Sequence, residues 1–170
     1  YSTTIIDGGG NGKTVRIIDT ANLDGLQVVG FTIQNGFAEL SGSVSRGGGM
    51  EIDTDTDDVL ISQCYFTNNR CDEGGAHLKV KGNSVFIDRS IFTNGLGGSP
   101  LFSDNSTKGG YFTNCLVDAN GAEGFIGGSA WPDFYHSTVQ NYKGYGYRAN
   151  KGDQPNKVAY IVSSILATES

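Results

Sequence analysis

The run Asp53-Thr54-Asp55-Thr56-Asp57-Asp58 is the densest charge in this sequence. In an extended chain side chains alternate, so Asp53, Asp55 and Asp57 point to one side. Carboxylates converging on one side suit Ca²⁺, a hard cation that takes about six to eight oxygen ligands. The spacing resembles the start of an EF-hand loop, but the turn glycine and the closing glutamate of that loop are missing. A structural calcium on Asp53, Asp55 and Asp57 is the one cofactor the sequence brings forward. The alternative is an acidic, solvent-exposed turn.

A second set of chemistry-bearing residues lies late in the chain: Trp131, Tyr135, His136, Tyr142, Tyr145, Tyr147 and Arg148, with Phe134 and Lys143 among them. Exposed flat rings stack on the apolar faces of sugars, and polar neighbours bond sugar hydroxyls. These residues are the candidate carbohydrate-binding surface. The alternative is that Phe134 is core and the tyrosines cover corners of the fold.

Other chemistry is thinner. Asp7-Gly8-Gly9-Gly10-Asn11-Gly12-Lys13 invites comparison with a phosphate cradle, but the glycine spacing is one residue short and β-branched residues follow. A plain turn is expected there. Asn105-Ser106-Thr107 is a glycosylation sequon, relevant only where the source glycosylates such sites. His77 and His136 sit in Ala-His-Leu and Tyr-His-Ser, with no acid spaced to serve them. Net charge is −6 and the sequence has no run of Lys or Arg, so nucleic acid and anionic membranes are poor partners. No apolar run is long enough to span a membrane as a helix.

The elements that must carry these residues are read from a repeat. Ser84 to Gly95, S-V-F-I-D-R-S-I-F-T-N-G, has anchors Ile87, Ser90, Phe92 and Asn94. The same frame fits Val28-Phe31-Ile33-Asn35, Ile61-Cys64-Phe66-Asn68 and Phe134-Ser137-Val139-Asn141. With one extra residue it fits Phe112-Cys115-Val117-Asn120, and without the Asn it fits Ile161-Ser164-Leu166. Glycine pairs open a run before most anchor segments, as in Gly48-Gly49-Met50 and Gly74-Gly75-Ala76. The anchor segments are rich in Val, Ile, Thr, Tyr and Phe, which favours strands. Coils of about 25 residues with equivalent residues at equivalent places predict an all-β, single-stranded parallel β-helix of about six to seven coils over residues 1–170.

The odd step from Ile87 to Ser90 predicts a corner near Asp88-Arg89. The anchors then stack into an inward small column (Phe31, Cys64, Ser90, Cys115, Ser137, Ser164) and an inward large column (Ile33, Phe66, Phe92, Val117, Val139, Leu166). The Asn column is either an inward amide ladder or a set of left-handed turn residues. Cys64 and Cys115 fall two coils apart, roughly 9.6 Å, too far for a disulfide, and Cys71 is placed in a glycine-rich turn. All three thiols are expected to be free core residues. The outward column Thr32, Tyr65, Ile91, Leu116, Thr138, Ile165 predicts an apolar stripe that invites self-association, as do open coil ends.

Asp7 to Gly12, Val29 to Gly36, Gly47 to Met50 and Ser62 to Asn69 resemble right-handed parallel β-helix repeats of the pectin-lyase-like superfamily. The style is that of polymorphic outer-membrane proteins and adhesin-like passengers. The resemblance covers nearly the whole chain and implies architecture more than activity. Pectate lyases in that superfamily use calcium-binding acids and an arginine base, and polygalacturonases an Asp pair with Gly-His-Gly and Arg-Ile-Lys. Asp57-Asp58 resembles that pair, but the other two motifs are absent, and the column of Arg89 (Gly30, Gln63, Asn114, His136) holds no acid. The expectation is a non-catalytic extracellular or cell-surface module, adhesin-like or structural, that contacts carbohydrate or a surface protein. The alternatives are a polysaccharide lyase or hydrolase and an end-to-end filament subunit. Both chain ends read as cut from a longer array.

Overall fold

The computed structural model describes residues 4–19, 25–39, 47–54, 58–72, 75–97, 102–104, 109–120, 124–128, 133–142, 145–149, 161–163 and 165–168. Residues 19, 102–104, 109, 124–128, 145–149, 166 and 168 are described by backbone alone. Every regular element among them is a strand, and every pairing is parallel. The chain winds as a right-handed solenoid, each coil laying one strand on each face beside its equivalent in the next coil.

The first face holds Val15–Asp19, Met50–Thr54, Leu78–Lys81, Phe102–Asp104, Gly124–Gly128 and Tyr145–Ala149. The second holds Leu26–Val29, Asp58–Ser62, Ser84–Asp88, Gly109–Thr113, Asp133–Tyr135 and Ile161–Val162. The third has seven strands: Ile5–Asp7, Thr32–Gln34, Tyr65–Thr67, Ile91–Thr93, Leu116–Asp118, Thr138–Tyr142 and Ile165–Thr168. A short fourth face pairs Phe37–Ala38, Arg70–Cys71 and Leu96–Gly97. The sequence repeat predicts the first three faces and misses the fourth. Cys71 is therefore a buried strand residue between Ala38 and Gly97, not a turn residue.

The corner at Asp88-Arg89 is present in every coil. Gly30, Gln63, Arg89, Asn114, His136 and Ser163 all have left-handed backbones between the second and third faces. The next corner repeats the device with asparagine: Asn35, Asn68, Asn94, Asn120 and Asn141 have φ between 48° and 58°. The Asn column is thus a set of turn residues, because asparagine tolerates this conformation where most L-residues do not. A left-handed residue also resets the in–out alternation. Where it is described, the residue after a turn Asn goes inward: Gly36, Asn69, Gly95 and Tyr142 are all buried. At Gly36 only glycine fits, since a Cβ there would strike the Gly48 carbonyl.

Both predicted inward columns are buried where their side chains are described, except at Phe31, the head of the small column, which is half-buried. Ile33, Phe66, Phe92, Val117 and Val139 form the large one, and Phe66 stacks on Phe92 with centroids 4.9 Å apart. Phe112 and Phe134 stack behind them at 5.1 Å from the second face. In the small column hydroxyls and thiols feed the backbone. Ser90 Oγ accepts from the Cys64 amide and donates to the Asp88 carbonyl; Ser137 Oγ accepts from the Cys115 amide. The Cys64 and Cys115 thiols face the carbonyls of Val28 and Ile87. All three cysteines are free, and Ser90 separates Cys64 from Cys115 as expected. Burial pushes the Cys115 thiol up to about 12, which makes it a poor nucleophile at neutral pH.

The outer column that closes the third face is tied pairwise. Asp7 accepts from the side-chain amides of Gln34 and Asn35, and Asp118 from those of Gln140 and Asn141. Between them Thr93 bonds Thr67 and meets the Tyr65 phenol at 3.0 Å. Those bonds lay Tyr65 along the surface, so the predicted apolar stripe is not a continuous exposed band. Tyr65 and Ile91 are half-buried and Thr32 is buried, while Leu116 and Ile165 are exposed.

Candidate functional site

The left-handed corner between the second and third faces positions a row of polar side chains on the outside. Gln63, Arg89, Asn114 and His136 are exposed and succeed one another by one coil, about 4.8 Å a step. Asp88, the last residue of its strand, accepts from Arg89 Nε at 2.6 Å and from Asn114 Nδ2 at 3.3 Å. One carboxylate thus orients two neighbouring corner residues. The guanidinium is held through Nε, and the Arg89 side chain is 59% exposed.

A groove of about 660 Å³ runs along this corner, lined by Thr4, Val29, Gly30, Phe31, Gln63, Arg89 and Asn114. Its walls are part apolar, through Val29 and Phe31, and part donor-rich, through Gln63, Arg89 and Asn114. Beside it, on the outer surface of the second face, Phe86 and Tyr111 stack at 5.0 Å and 13°, with Phe86 39% exposed. Apolar walls, flat rings and convergent donors suit a ligand that has both C–H faces and hydroxyl edges. The acid missing from the Arg89 column is supplied by the column beside it, at Asp88. That pairing is legible only once the corner is known to put consecutive residues on one outer edge.

Among the described side chains of the late aromatic set, Tyr135, His136 and Tyr142 do not converge on one surface. Tyr135 is half-buried on the second face in register with Thr113, and His136 is the exposed corner residue that extends the groove's polar row. Tyr142 is a correction. It follows the left-handed Asn141 at a register shift, so its ring turns inward and is 9% exposed. Tyr145, Tyr147 and Arg148 lie on the first face, and Trp131 lies outside the described residues. Tyr147 shares a register column with the buried Met50 and Leu78, and Arg148 shares one with Glu51 and Lys79.

Of the acidic run, Asp55 and Asp57 lie outside the described residues. Asp53 ends up beside Lys81, whose Nζ sits 2.9 Å from its Oδ1. Among the described residues no three His, Cys, Asp or Glu side chains gather around a common point.

One charged locus leaves no mark in the sequence. On the outer surface of the first face Glu51 is nearly buried and takes Lys13 and Arg16 on Oε2 and Lys79 on Oε1. Burial pushes its carboxyl up, but the hydrogen bonds and charges of Lys13 and Lys79 outweigh this and hold it at about 2. The cations come from the coils on either side of Glu51, Lys13 and Arg16 from one and Lys79 from the other, so no run of basic residues marks them in the sequence.

A family model for the right-handed β-helix region matches residues 3–159. The chain belongs to the right-handed β-helix family. Neither a curated protein nor a solved structure matches it. The family matches the stacked parallel sheets and the repeat, and the pectin-lyase-like resemblance is consistent with it. Membership in a β-helix family describes a scaffold, so function has to be argued from the groove and the charged face.

Proposed function

We propose that this β-helix is a non-catalytic extracellular or cell-surface module that contacts carbohydrate along the corner between its second and third faces. The observation that supports this most is the groove of Gln63, Arg89 and Asn114 with its apolar wall and the adjoining Phe86–Tyr111 stack. A linear glycan laid parallel to the solenoid axis would meet one polar corner residue per coil. His136 and the half-buried Tyr135 extend the same line.

Glycan-array screening followed by calorimetry tests the reading. Arg89→Ala and Asn114→Ala should each weaken binding of the best glycan, while thermal stability stays close to the parent's. Unchanged affinity in both variants would remove the corner from consideration. Unsaturated or reducing ends released from pectate or alginate with Ca²⁺, and lost in Arg89→Ala, would instead assign cleavage to the same groove.

A further inference from the structure

We infer that the outer surface of the first face is a second binding surface, one that takes a polyanionic chain through Arg16, Lys79 and Lys13. The chain as a whole is acidic, with 12 Lys and Arg against 18 Asp and Glu. Around Glu51 the balance reverses locally. Lys13, Arg16, Lys79 and Lys81 surround only Glu51 and Asp53 among the described ion pairs. Glu51 acts as an internal anchor. It is 7% exposed, and a single −1 charge fixes three cations in place. Two positive charges are left over, and the entropy of ordering those side chains is already spent in the free protein.

The cations are also aligned. Arg16, Glu51, Lys79, Ser103, Gly127 and Arg148 occupy one register column. Arg16 and Lys79 flank Glu51 two strand spacings apart, about 9.6 Å, and the column continues over the small positions Ser103 and Gly127 to Arg148. Charges set at intervals along the solenoid axis match a ligand with repeated charges better than a single ion. Carboxylate and sulfate groups satisfy the same donors. This surface is a different face from the corner groove, so either site can fail without the other.

The test measures retention of the intact chain on dextran sulfate, polygalacturonate and neutral dextran, across a salt series. Both or either of the anionic polymers should bind, neutral dextran should not, and affinity should fall steadily with salt. Which anionic polymer binds identifies the group. Arg16→Gln and Lys79→Gln should each weaken binding by about threefold to tenfold. Arg70→Gln, which removes an exposed cation from the fourth face, should change it by less than about twofold. Glu51→Gln removes the internal counter-charge and should steepen the salt dependence of binding, an effect that simple misfolding would not produce. Equal losses in Lys79→Gln and Arg70→Gln, or no preference for either anionic polymer over dextran, would overturn the inference.

Discussion

Acid should destabilise this β-helix through His77, and the size of the effect can be worked from its surroundings. The ring is fully buried, edge-on to Phe66 and Phe92 with centroids 6.5 and 5.9 Å away. Asn69 Oδ1 is used by the Gly36 amide, so its Nδ2 donates to the Ile33 carbonyl and to His77 Nδ1. Nδ1 is therefore an acceptor and the ring proton sits on Nε2, which has no hydrogen-bond partner. A second proton would have to go on Nδ1, against a donor and away from water. Burial accordingly drives the His77 pKa down to about 3 from an ordinary 6.5. The unfolded chain then binds a proton that the folded one refuses. Stability is fully present above about pH 6.5 and is lost as pH falls toward 3. Each pH unit in that window costs about 1.4 kcal/mol, so pH 7 to pH 5 should remove roughly 2 kcal/mol. That is a large part of a typical folding free energy of about 5–15 kcal/mol. Glu51 does not confuse the measurement. Its pKa is lowered from 4.5 to about 2, so its contribution is lost only below about pH 4.5. Urea unfolding of the parent, His77→Gln and His77→Phe at pH 7 and pH 5 gives the comparison. Both variants should lose much less stability than the parent over that interval. An equal loss in all three, or a folded-state NMR titration of His77 near 6.5, would refute the reasoning.

Phe92 is fully buried between Phe66 and Phe112, so Phe92→Ala should cost on the order of 3–5 kcal/mol by urea unfolding. Cys64, Cys71 and Cys115 are buried and free, so a thiol reagent should react slowly with the native protein and find three thiols in unreduced denaturant. Finding one would mean that a disulfide forms after all. Sedimentation velocity should show self-association with rising concentration, and Ile91→Lys should reduce it; a monomer throughout would remove the third face as a contact surface.

The inward columns were legible because they obey strand alternation from coil to coil. Ile33, Phe66 and Phe92 need no structure to be read as one core row. What was not legible follows from the two left-handed corners. The step that follows each turn Asn puts Asn69 and Tyr142 inside, although neighbouring residues of similar type lie outside. Nothing in an amide or a phenol distinguishes those positions. Arg70–Cys71 and Leu96–Gly97 make strands of two residues, too short for alternation to show. Glu51 and its cations are separated by whole coils in sequence and meet only through parallel register. The corner groove was half visible: Arg89 stood out, but its carboxylate partner was sought in the wrong column.

A solenoid built from similar coils faces an error that globular folds do not, since a coil could dock one position too early and still bury its apolar residues. The outer column of the third face discriminates against this. Asp7 meets Gln34, Thr67 meets Thr93 and Asp118 meets Gln140, each acceptor or hydroxyl opposite a side chain able to satisfy it. Skipping the Thr93 coil would set Asp118 beside Thr67 and break the hydroxyl bonds that Thr93 makes with Thr67 and Tyr65. A uniform amide ladder would have tolerated any order of coils. These mixed pairs instead behave as a combination lock, in which the order of partners along the surface favours the native threading over a skipped coil.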